Sequence, residues 1–238
     1  MEDHTRLLDK RSLSEGLLSS LIVAASVGFL LAFFIETAIG PAVGSDTLTI
    51  FFAPLVEEAA KALGMLPVAY FMWKIVLNRR YGAALGAAAG LGFGVVESCY
   101  YIYQIVAAGA PGEITAVRII VTPLMHPLWS AFVGIGVSAL VAGGRPSRPE
   151  RPKSPVWLPL LFLLFGMANH VVWNGILVAL GDFAYVPIIL NVLFVFPLFA
   201  IMLRDLLGGH FNFPNFLEPV AEPFAFPPPL PPPPPPPP

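Results

Sequence analysis

From Leu17 to Ile35 the chain runs nineteen residues without a charged side chain. A helix rises about 1.5 Å per residue, so such a run comes close to crossing the ~30 Å hydrocarbon layer of a bilayer. Five further segments read the same way, and the six cover roughly 17–36, 47–73, 82–108, 119–142, 156–180 and 185–206. The spacing predicts an all-α protein, a polytopic membrane bundle of about six transmembrane helices in the cell membrane. Composition closes off the alternatives, because only 12% of residues are charged. Soluble domains carry about 25%, and disordered chains are polar and charge-rich. The first span follows Lys10 and Arg11 as a signal peptide would, but its apolar core outruns the 7–15 residues of a signal sequence and no convincing small-residue cleavage site follows. It reads as a retained anchor.

The basic residues give the orientation. Arg6, Lys10 and Arg11 precede the first span, Lys74, Arg79 and Arg80 follow the second, Arg145, Arg148, Arg151 and Lys153 follow the fourth, and Arg204 ends the sixth. The alternating loops hold Glu36 and Asp46, Glu113 and Arg118, and Asp182. Of 13 Lys and Arg, 11 fall on one side, Arg118 falls on the other and Lys61 lies inside a span. Both termini are therefore expected in the cytoplasm. The organisation expected is a cytoplasmic segment 1–16, a membrane core 17–207 and a disordered Pro-rich cytoplasmic tail 208–238 that ends in unbroken proline from Pro231. Proline has no N–H to donate, so the tail should be solvated polyproline II. A net charge of -2 gives no basic field for nucleic acid. Cys99 is the one cysteine, which excludes an intrachain disulfide and a Cys-rich zinc site.

The informative residues are those an apolar span should not contain: Glu57, Glu58, Lys61, Glu97, His126 and His170. A charge at a helix centre costs about 2.5–3.5 kcal/mol on the insertion scale, and such residues usually face inward, pair and serve function. Glu57, Glu58, Glu97 and His170 each lie roughly 15 Å from the outer end of their helices, with His126 somewhat nearer that surface. Four helices of alternating direction thus bring ionisable groups to similar depth.

Glu57-Glu58-Ala59-Ala60-Lys61 places Lys61 angularly between the two carboxylates, one turn on, in the favourable Glu-before-Lys order. Lys61 can offset one carboxylate and leave the other free, or the triplet can be an ion pair that only fixes helix register. On the third helix, Gly82, Gly86, Gly90 and Gly94 recur every four residues, a stripe that admits a neighbouring backbone closely. Glu97 projects from nearly the same face, so the stripe should hold it against a partner helix. Phe93, one turn before, reads as packing. His126 lies between Pro123 and Pro127, whose missing N–H groups kink a helix and free backbone partners. Gly166, His170 and Asn174 follow at i,i+4 on the fifth helix, which lets His170 and Asn174 point at one substrate oxygen.

Glu-Glu-x-x-Lys at 57–61, Phe-x-x-x-Glu at 93–97, His126 on the next helix and His-x-x-x-Asn at 170–174 resemble, in order on four helices, the PrsW family of intramembrane proteases. That family is distantly similar to the CAAX prenyl proteases and the Abi membrane proteins, which usually carry Arg after the Glu pair and His in the second motif. Lys61 and Glu97 favour the PrsW branch. The resemblance implies cleavage of a peptide bond in or near the membrane-spanning part of a membrane protein or membrane-anchored regulator, such as an anti-sigma factor.

On that reading Glu57 or Glu58 is the general base on a water, His126 or Glu97 helps hold the water, and the base returns its proton to the leaving amine. His170 and Asn174 stabilise the oxyanion, and Lys61 keeps one carboxylate ionised. A zinc version would take His126, His170 and Glu57 or Glu58 as ligands with water in fourth position. There is no His-Glu-x-x-His helix, and the favoured reading needs no metal. Ser98 and Ser130 lack the Gly-x-Ser-x-Gly setting of a nucleophile, Cys99 reads as a small side chain, and the spans contain no pair of aspartates. Two other classes stay open. A proton-coupled transporter would use the same carboxylates as a relay, although no repeated half is visible. A non-catalytic membrane scaffold or immunity protein would keep the fold without the chemistry.

Overall fold

The computed structural model describes residues 14–76, 79–108, 121–143 and 157–180. Among the described residues every element is helical and there is no strand. Helix α1 runs Ser14–Val43 and includes a π-type stretch at Ser20–Ala24. It ends at Gly44, where φ is 81°, a conformation that a Cβ would strain. The chain thereby re-enters a helical turn at once, Ser45–Thr47, and passes through the wider turn Leu48–Phe52 into α2, Ala53–Phe71. A short turn, Trp73–Val76, precedes α3, Arg79–Ala108. Helix α4 is Thr122–Gly143 and α5 is Trp157–Leu180.

Four helices are long and apolar enough to cross a membrane: α1 and the segments Arg80–Ala107, Pro123–Val141 and Trp157–Ala179 of α3, α4 and α5. Helix α2, expected as the second of six spans, forms but falls outside this set. Glu57, Glu58 and Lys61 occupy its middle, and all three are buried. The expected sixth span 185–206, the tail 208–238 and most of the segment 1–16 lie outside the described residues. One expectation is corrected. Glu36, placed above at the end of the first span and in the loop that follows, lies inside α1, which continues to Val43. A single carboxylate ends an apolar stretch without ending a helix.

The helices divide into an inner pair and an outer pair. In the most apolar stretches of α3 and α4, 67% and 61% of residues are buried, against 28% in α1 and 17% in α5. The outer helices keep large apolar side chains such as Leu30, Phe34, Leu160 and Val172 exposed, the surface a lipid phase would cover. The inner pair is the most extensive helix contact among the described residues, and the glycine stripe is its cause. A Cβ on Gly86 would fall 2.9 Å from Gly134 Cα and collide with the Ser130 carbonyl, and one on Gly94 would lie 2.6 Å from Pro123 Cα and 2.8 Å from His126 Cδ2. The stripe therefore brings α4, and His126 with it, to backbone distance from α3. Helix α1 backs onto α2 by the same device, since a Cβ on Gly28 would lie 3.2 Å from Lys61 Cα. At the far end the Ser138 hydroxyl donates to the Val76 carbonyl and ties α4 to the turn after α2.

Candidate active site

Lys61 is wholly buried. Its Nζ donates to Glu58 Oε1 at 2.7 Å and to His126 Nδ1 at 2.8 Å, lies 3.5 Å from Glu57 Oε2, and stands 4.1 Å from the centroid of the Phe93 ring. An ammonium has donors only, so His126 Nδ1 must accept. The proton of a neutral ring then resides on Nε2, which donates to Glu97 Oε2 at 2.8 Å. Helix α2 thus reaches α4, and α4 reaches α3, through one imidazole.

Glu58 is as fully engaged. Oε1 accepts from Lys61 and from His170 Nδ1 at 3.1 Å, and Oε2 accepts from Ser130 Oγ at 3.1 Å. Burying an ion pair is tolerable only when its partners satisfy it, and here α4 and α5 supply them. The His170 ring is fixed from its face by Trp129, stacked at 3.7 Å between centroids with planes 17° apart. It stands perpendicular to His126 at 5.2 Å.

Glu57 is treated differently. It is only 4% exposed, yet its Oε2 has no hydrogen-bond partner. The groups around that oxygen stand off, with Lys61 Nζ at 3.5 Å, His126 Nδ1 at 3.9 Å and His170 Nδ1 at 4.0 Å. Glu57 faces a cavity of about 100 Å³ whose wall also includes Glu36, Thr49, Glu97, Tyr101, His170 and Asn174. Glu36 Oε1 is likewise buried without a partner. A polar void of this size has room for several waters, and buried carboxylate oxygens are the atoms that call for them. Asn174 donates one amide N–H to the Thr49 carbonyl at 2.9 Å, which fixes the side chain and leaves its second N–H.

Of the residues singled out in the sequence, Glu57, Glu97, His170 and Asn174 line the cavity, while Glu58, Lys61 and His126 form a network directly behind it. His170 and Asn174 do share the cavity wall, but the Nδ1 edge of His170 is turned to Glu58. Phe93, read as packing, also presents its ring to the ammonium. Sequence reasoning missed Trp129, placed Glu36 outside the site and weighed Ser130 only as a nucleophile. For Ser130 a signal existed, since it lies one turn after His126 on the same face of α4.

The donors of Glu57, Glu58, His126 and His170 all lie within 4.8 Å of one another, and a mixed carboxylate and imidazole set is zinc chemistry. The arrangement nevertheless does not fit a divalent ion. His126 has no lone pair left, because Nδ1 accepts from Lys61 and Nε2 donates to Glu97. A divalent ion among these donors would also face the ammonium, a repulsion of about 8 kcal/mol at 4 Å with an effective dielectric of 20.

Among protein families, the model described as PrsW family intramembrane metalloprotease matches residues 13–202. No curated protein and no solved structure matches the chain.

Proposed function

The chain belongs to the PrsW family of intramembrane proteases, and from that premise we propose that it is a multi-pass endopeptidase of the cell membrane in which Glu57 activates a water held in the cavity. The substrate class is a membrane protein or membrane-anchored regulator cut in or near its spanning segment. The single observation that carries the reading is Glu57, a buried carboxylate that lines the polar cavity and whose Oε2 has no hydrogen-bond partner. Glu58 lacks that freedom, since both of its oxygens are already bonded.

The water gives one proton to the Glu57 carboxylate as its oxygen attacks the amide carbon. His170 donates Nδ1–H to Glu58, so in its neutral form Nε2 accepts the water's second hydrogen and orients it. The free N–H of Asn174 donates to the oxyanion. Glu57 then passes its proton to the amide nitrogen, the C–N bond breaks, and a carboxylic acid and an amine leave. Glu97 works through His126, holding the ring that receives Lys61. The six-span arrangement with both termini cytoplasmic, and a solvated Pro-rich tail, belong to the same reading. The spans rest on the apolar runs, the orientation on the division of basic residues, 11 to one, and the tail on its prolines.

The test is cleavage of membrane-anchored reporter peptides in proteoliposomes, read by mass spectrometry. Glu57→Gln should lower the rate by about 10²–10⁴, the usual worth of a general base, with the melting temperature little changed. Unchanged cleavage removes Glu57 from the role. A pH-driven ion flux in the same vesicles, without cleavage, would move the protein to the transporter class.

A further inference from the structure

The donor set of Glu57, Glu58, His126 and His170 already surrounds a cation. Lys61 Nζ lies 2.7 Å from Glu58 Oε1, 2.8 Å from His126 Nδ1 and 3.5 Å from Glu57 Oε2. We propose that the Lys61 ammonium is the resident cation of this site, a tethered single charge that stands where a divalent metal would stand and keeps metal out. The inference goes beyond the peptidase reading, because it concerns what these donors hold whether or not a peptide is cut beside them.

Three features on separate helices support it. The first is the tether. Lys61 leaves α2 one turn after both carboxylates, so the cation cannot diffuse away, and the side chain is wholly buried with no exposed position to withdraw into. The close approach of α1 at Gly28 fixes the backbone from which it springs. The second is the face opposite the carboxylates. Phe93 on α3 is 1% exposed, held edge-on by Phe29 at 5.7 Å, and offers its ring to the ammonium at 4.1 Å. A phenyl face attracts an ammonium by its quadrupole but supplies no ligand atom to zinc. The third is His126 on α4. As an acceptor from Lys61 and a donor to Glu97, it is held in the orientation and tautomer that serve an ammonium, and a metal could use its Nδ1 only after Lys61 had left.

The experiment is metal retention by the purified full chain in detergent micelles. The protein is stripped with chelator, exposed to zinc and dialysed, then analysed for zinc per chain, with cobalt in parallel for its visible ligand-field spectrum. The quantity scored is metal that depends on His170, obtained by comparison with the matching His170→Ala protein. Wild type should retain none. Lys61→Met, one atom shorter, unbranched and without charge, should retain one zinc per chain and show the cobalt band. Because Lys61→Met strands the charge of Glu58 and can cost the fold, the double variant Glu58→Gln with Lys61→Met is measured beside it. That pair removes both charges together and leaves Glu57, His126 and His170 as three donors, and it too should gain one zinc. His170-dependent zinc in the wild-type protein would overturn the proposal. So would its absence from the double variant, since something other than the ammonium would then be excluding the metal. Both outcomes are read without substrate and leave the peptidase reading to its own test.

Discussion

Behind the cavity, both oxygens of Glu58, the Lys61 ammonium and both ring nitrogens of His126 have partners within 3.1 Å. Along the cavity wall, Glu57 and Glu36 each keep a buried oxygen that receives no hydrogen bond, although Lys61 Nζ lies 3.5 Å from that of Glu57. The two regions are adjacent in the chain, for Glu57 and Glu58 are neighbours, and share the same apolar surroundings. What separates them is helix geometry. About 100° of rotation about α2 turns one carboxylate into the crowd of α4 and α5 and the other toward a void. Satisfied polar networks rigidify a fold, whereas unsatisfied buried groups mark the places where a ligand or water must come. On the proposed mechanism, two identical side chains thus acquire opposite duties, one structural and one chemical.

The sharpest way to break this contrast is to remove the charge from each glutamate in turn. Glu57→Gln is expected to abolish most of the cleavage and spare the melting temperature. Glu58→Gln should do the reverse in order of importance, losing about 3–5 kcal/mol of stability because the buried Lys61 loses its hydrogen-bonded counter-charge and keeps only the more distant Glu57. Thermal unfolding of the two purified variants, side by side, checks it. Equal melting temperatures would show that the network behind the cavity carries no special share of stability. Cleavage lost equally in both, with both folded, would mean that the division between the two carboxylates is false.

Asn174 offers a smaller effect on the same boundary. Its side chain has one N–H tied to the Thr49 carbonyl and one available to the cavity. Asn174→Ala should therefore lower kcat by about 10²–10³, the cost of losing an oxyanion donor, with KM nearly constant. A rise in KM alone would make Asn174 a residue that shapes the cavity through Thr49 and takes no part in the transition state.

How much of this was legible beforehand follows from which interactions are periodic. The i,i+4 relation that sets Lys61 between two carboxylates is a property of one helix, and so is the stripe of Gly82, Gly86, Gly90 and Gly94. Both could be read from spacing alone, and the stripe packs α3 on α4 as its residues demand. The membership of the family was legible for the same reason, since four short motifs keep their order on four helices. Glu36 was not, because hydropathy reports where an apolar run stops and α1 outlasts its run by several residues. The stack of Trp129 on His170 and the bond from Asn174 to Thr49 join segments far apart in the chain. Periodicity says which face a residue occupies, never which neighbour meets that face. The freedom of Glu57 relative to Glu58 belongs to this second kind of fact, which is why the sequence left the base undecided between them.

The gentlest test concerns Ser130, whose hydroxyl is the only contact of Glu58 Oε2 among the described hydrogen bonds. Ser130→Ala removes one neutral donor from a charged acceptor that stays buried, a loss of about 1–3 kcal/mol. The substitution is small in volume and leaves α3 and α4 free to pack, since a Cβ already stands at 130. If the network is purely structural, the melting temperature falls and the rate per folded molecule holds. If instead Ser130 tunes the chemistry through Glu58 and His170, the rate falls with it, and the pH profile of cleavage shifts. The second result would join the two regions into one catalytic unit, and the contrast between neighbouring glutamates would become one of degree.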